Sequence, residues 1–215
     1  MRTTIKFIAG ALLLGGLMAG QAFATAAPTF SIVDTSKTKT INLSATSSSD
    51  RFDVAIPTNF SLSGVKTGSF LSLSSAASLA FTFVGEEAGY NNVFGAIKFK
   101  PLDVGLFSNN ASTPGATSFT FSNVAAGQLN FGFLSNAMAS MFYGNGSTSI
   151  GLKLSADKQS ALLMFNDSYK RDRDYDDMVV KVSILTAVPE PETYALMLGG
   201  LALLGAVARR NRKQA

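Results

Sequence analysis

The sequence predicts an all-β body, antiparallel and of β-sandwich or jelly-roll type, with an N-terminal signal helix and a single C-terminal transmembrane helix. Three observations predict it. Apolar residues in the body recur at every second position, the period of a strand with one buried face. Turn-forming clusters separate those runs at short intervals. At each end of the 215-residue chain lies an apolar segment with basic residues on its outer side.

Residues 1–24 read as a secretory signal peptide. Arg2 and Lys6 supply the positive start, residues 7–18 the apolar run, and Ala22 and Ala24 the small side chains that signal peptidase accepts around its cleavage point. The run is typical of a signal's apolar region and short for a membrane span. Export implies passage through the Sec translocon.

The body, residues 25–187, follows. Residues 40–45 read as a short strand before a Ser-rich loop. Phe52, Val54 and Ile56 alternate with Asp53 and Ala55. Phe81 and Phe83 flank Thr82; Ile97 and Phe99 alternate with lysines; Phe119 and Phe121 flank Thr120. Leu129, Phe131 and Phe133 make the next strand, and residues 135–142 fit either a short helix or a strand. Leu152 and Leu154, the apolar run 161–165, and Met178, Val180, Val182 and Ile184 complete the set. Turn signals fall at 57–59, 85–89, 108–115 and 144–146. In the last of these, Asn145-Gly146 suits a tight hairpin because both residues tolerate positive φ. The spacing of strands and turns excludes a parallel α/β sheet, and no fixed-period repeat is visible. The seventeen Phe are expected mainly as core.

Composition excludes several chemistries. There is no His, Cys or Trp, so no histidine-based nucleophile system, no Cys/His zinc site and no disulfide. The net charge of +4 belongs to the ends: residues 25–188 hold twelve basic and twelve acidic side chains. A balanced body argues against a nucleic-acid partner. The chain is expected not to be an enzyme. A polysaccharide hydrolase needs only two carboxylates, and Glu86, Glu87, Asp50 and Asp53 are available, but nothing in their positions marks a converging pair.

The tail, residues 188–213, has three parts. Val188-Pro189-Glu190-Pro191 comes first, then the apolar helix 194–208, then Arg209, Arg210, Arg212 and Lys213. Fifteen apolar residues reach about 22 Å as a helix, against a bilayer core of about 30 Å. That suits transient retention in the inner membrane, with the basic cluster on the cytoplasmic side. The two prolines favour an extended, accessible segment before the helix. These parts, in this order, resemble the PEP-CTERM sorting signal of Gram-negative bacteria. The resemblance implies recognition by an exosortase, cleavage near Pro189-Glu190-Pro191 and release to the cell surface or exterior. It also implies a setting of exopolysaccharide and biofilm, where a structural or adhesive role is expected.

One body segment is chemically dense. Residues 167–177 hold five aspartates, with Lys170, Arg171 and Arg173 among them. Asp172, Asp174 and Asp176 are spaced by two, which lets a curved loop aim oxygens at a hard cation such as Ca²⁺. A solvated loop paired within itself fits the same residues. The full EF-hand pattern is excluded, since Asp177 and Ser183 stand where it needs Gly and Glu. The segment resembles the end of a domain of unknown function common in bacterial secreted proteins. Phe165, Asp167, Asp172, Asp174, Tyr175, Asp177 and Val179-Val180 carry that resemblance, while Asn166, Lys170-Arg171 and Asp176 depart from it. The expected Ca²⁺ ligands are Asp167, Asp172, Asp174 and Asp177. With Tyr90 and Tyr143, beside Gly-rich turns, they define the alternative expectation of a Ca²⁺-dependent carbohydrate-binding module.

Overall fold

The computed structural model describes residues 26–44, 52–97, 106–135, 141–167, 173–185, 197–204 and 209. The signal segment with Ala22 and Ala24, the motif Val188–Pro191, Asp172, and the basic residues Arg210, Arg212 and Lys213 lie outside them.

The body is all-β, and the strand pairs within its three sheets are antiparallel. In chain order the strands are β1 (Phe30–Val33), β2 (Lys39–Ile41), β3 (Val65–Thr67), β4 (Phe70–Leu73), β5 (Ala77–Gly85), β6 (Asn92–Ala96) and β7 (Phe107–Ser108). Then come β8 (Ser118–Val124), β9 (Gly127–Gln128), β10 (Phe131–Ser135), β11 (Met141–Gly144), β12 (Ile150–Leu154), β13 (Ser160–Phe165) and β14 (Met178–Leu185). The largest sheet runs β2-β3-β12-β13-β14-β5-β8; a second runs β11-β10-β6-β7 and a third β1-β4-β9.

One core joins the three sheets. Phe30, Leu71 and Leu73 enter it from the third sheet, Phe94, Phe107, Phe131 and Phe133 from the second, and Phe81, Phe83, Leu163, Phe165 and Val180 from the largest. Ring contacts cross between sheets. Phe133 stacks on Phe165 at 4.7 Å between centroids, and Phe81 lies 5.7 Å from Phe94. The expectation that the phenylalanines form the core holds for these rings.

The period-two pattern correctly placed the inward faces of β5, β10 and β14 but missed a second buried layer. Leu162, Met164 and Val179 point away from the main core, yet they are fully buried against Phe52, Phe60 and Val65. That layer explains why β13 reads as a continuous apolar run: it is covered on both sides. The expected strand at 52–56 is corrected. Its alternation reports burial, because Phe52, Val54 and Ile56 pack on this second layer, but the segment lies outside any ladder. Pro57, which has no backbone N–H, closes it. Of the expected strand at Ile97 and Phe99, only Ile97 is described: β6 ends at Ala96 and Ile97 turns away with φ 65°, while Phe99 and its flanking lysines lie outside the described residues.

Asn145-Gly146 does not close a hairpin. β11 pairs with β10 in the second sheet, whereas β12 pairs with β3 and β13 in the largest, so the turn carries the chain between sheets. Its geometry follows from that task. Gly146 has φ 97°, and a Cβ there would collide with the Phe70 ring. Asn145 is spent on bonding: Oδ1 accepts from the Leu71 amide at 2.9 Å, while Nδ2 donates to the carbonyls of Leu71 at 3.0 Å and Leu129 at 2.8 Å.

Residues 197–204 are helical and exposed throughout. Among the described residues no helix is long and apolar enough to cross a membrane, so the expected transmembrane helix 194–208 is represented only by these two turns. Arg209 is helical and exposed.

Candidate functional site

β5 and β14 are neighbouring interior strands of the largest sheet, and their ladder ends where Gly85 meets Val179. The turn leaving β5 and the segment entering β14 therefore meet at one corner. The Glu87 N–H donates to the Asp176 carbonyl at 2.9 Å, and the Asp53 N–H donates to Asp176 Oδ2. Three stretches distant in sequence converge on Asp176.

The corner gathers carboxylates. Glu87, Asp174 and Asp176 each place one oxygen within 4.8 Å of the others. Glu87 is exposed, Asp174 is 8% exposed and Asp176 is fully buried. Oδ1 of Asp174 and Oδ1 of Asp176 are buried and have no hydrogen-bond partner among the described residues. Burial, first, and the charges of Asp174 and Glu87 push the Asp176 carboxyl up to about 7. Burial also raises Asp174 above the usual carboxylate range.

A pH dependence follows. Between an unfolded value near 3.8 and a folded value of about 7, the native chain holds a proton on Asp176 that the unfolded chain has released. A raised folded value contributes stability that is complete below the unfolded value and lost as pH rises through the folded one. In chelator, the melting temperature is expected to rise as pH falls from about 8 to about 5. Asp176→Asn should flatten that slope; an unchanged slope would show that other groups carry it.

The expected quartet is redistributed. Asp174 lies in the corner, and Asp176, which belongs to the alternate-aspartate run but not to the expected ligand set, lies beside it. Asp167 and Asp177 pair with each other: the Asp167 amide donates to Asp177 Oδ2 at 2.7 Å, and Asn92 Nδ2 donates to Asp167 Oδ2 at 3.0 Å. Their carboxylates are not part of the Glu87 group. Between them, Tyr175 adopts φ 61° and its hydroxyl donates to the Thr148 carbonyl at 2.9 Å. Glu87 carried no metal signal in the sequence; its role depends on a strand pairing that the sequence does not announce.

The two tyrosines are not gathered into a platform. Tyr143 leans on Phe165 at 5.1 Å, its hydroxyl meeting Met141 Sδ at 3.6 Å, and burial followed by the Asp167 charge raises its pKa. Tyr90 is half-buried and its carbonyl accepts from Asn109 Nδ2 at 2.7 Å.

The tail is decided by comparison with known families. Residues 187–213 match the PEP-CTERM protein-sorting motif. The motif marks the chain for export, for transit anchored at the membrane and for processing by an exosortase. The match stops short of the acidic segment before β14. No curated protein and no solved structure matched the chain.

Proposed function

We propose that the chain is an exported protein, cut by an exosortase near Pro189-Glu190-Pro191 and left at the cell surface or in the extracellular matrix. There its β-sandwich body plays a structural, non-catalytic part within exopolysaccharide. The observation that carries this reading is the sorting motif at residues 187–213. The fold supports it physically. The last strand of the body, β14, ends at Leu185, just before the motif, and lies between β13 and β5 inside the sheet. The described helical residues 197–204 contribute nothing to either core cluster. Among the described residues, cleavage near residue 190 thus removes no strand and no member of either core cluster, so the body can outlive its tail.

The test is the intact mass of the extracellular protein from strains with and without exosortase. With the enzyme, the product is expected to begin after Ala24 and to lack Arg209 through Lys213. Without it, the tailed chain should stay with the membrane. An extracellular product that keeps the basic cluster would end the processing claim. An unchanged exopolysaccharide matrix in a strain lacking this chain would end the structural one.

A further inference from the structure

We propose that Glu87, Asp174 and Asp176 form a binding site for one hard divalent cation, Ca²⁺ in the exported setting, which clips the turn leaving β5 to the segment entering β14.

Three side chains each bring an oxygen within 4.8 Å of the others, the span that a shared ion can bridge. Clustered acids at a surface would mean little, since water and mobile ions screen them. Here two of the three are buried, and each keeps Oδ1 unpartnered among the described residues. A buried polar oxygen without a partner is costly, and native chains rarely leave one unexplained. Among the described residues no ion pair balances the group, and a cation would satisfy the orphan oxygens and the like-charge repulsion together.

The donors select the ion's class. All three donors in the group are carboxylate oxygens, with no imidazole, thiolate or thioether among them, which suits a hard cation rather than a soft or borderline metal. Ca²⁺ accepts six to eight oxygens, carboxylates in one- or two-oxygen modes and water among them. Exposed Glu87 gives a path of entry and leaves room for water. Mg²⁺ demands a tighter octahedron and gives up water reluctantly, so it should compete poorly. The site differs from the run of alternate aspartates in sequence, because its third ligand comes from another strand's exit.

The test uses the full chain in detergent, stripped with EGTA and titrated with CaCl₂ or MgCl₂. Calcium at about a hundred times its dissociation constant is expected to raise the melting temperature by roughly 5–10 °C, with one ion bound per chain and a much smaller response to Mg²⁺. Glu87→Gln, on an exposed turn, should keep the metal-free melting temperature and weaken Ca²⁺ binding at least about tenfold. Asp176→Asn removes a buried charge, so its metal-free form should be no less stable than the parent while its Ca²⁺ response disappears. No response of the parent to millimolar Ca²⁺ would overturn the site. So would an undiminished response in both variants, or one lost only on Asp167→Asn or Asp177→Asn.

Discussion

Phe94→Ala is expected to cost about 3–5 kcal/mol, the range for truncating a fully buried aromatic ring. Phe94 is 0% exposed, and its ring lies 5.0 Å from Phe133, 5.7 Å from Phe81, 5.8 Å from Phe107 and 6.2 Å from Phe131. Those partners come from the second sheet and from β5 of the largest. The cavity would open between sheets, where neither can collapse without disturbing its ladder. The melting temperature should fall by roughly 10 °C. Phe119→Ala is the control. Phe119 sits on edge strand β8 and is 40% exposed, so its loss should cost only about 1–1.5 kcal/mol. Equal losses at the two positions, in denaturant unfolding, would refute a core centred on Phe94.

Asn145→Ala is expected to cost about 2–4 kcal/mol, although the side chain is small and polar. Its amide pairs with both backbone groups of Leu71 and with the Leu129 carbonyl, standing in for a strand where the chain crosses between sheets. Truncation leaves the Leu71 N–H and the Leu129 carbonyl to find new partners, while the Leu71 carbonyl keeps the Leu129 N–H at 3.0 Å. Asn145→Asp should not rescue it: a carboxylate can still accept from the Leu71 N–H but must face two carbonyl oxygens with no donor. Chemical denaturation measures the loss, and faster hydrogen exchange at the Leu71 amide would locate it. A change below about 0.5 kcal/mol would mean the clip is dispensable.

Much of this was legible in sequence, and the reasons are specific. β5, β10 and β14 were visible because each places a large apolar side chain on the core at every second residue, and β13 because it is apolar throughout, patterns local to the strand. The run 52–56 shows the limit of that signal. Alternation records which side chains are buried, and a loop lying on a sheet buries alternate residues as a strand does. Asn145-Gly146 shows another limit: the pair announces a turn but not whether the strands on either side join each other. The acidic segment was recognisable as chemically dense, yet its grouping was not. Asp174 was anticipated in the ligand set; Asp176 and Glu87 were not, since Glu87 reaches the corner only because Gly85 pairs with Val179.

What the sequence determined by itself is the itinerary and the class of the body. Both rest on contiguous features, an apolar run with its basic flank and a period of two, which act before or without folding. What only the tertiary structure decided is which distant groups share a space. Two layers bury β13 from both sides, an asparagine fastens one sheet to another, and Glu87 meets Asp174 and Asp176 at the end of a ladder. Such meetings are set by strand order, and strand order comes from the joint burial of many side chains that no local window contains.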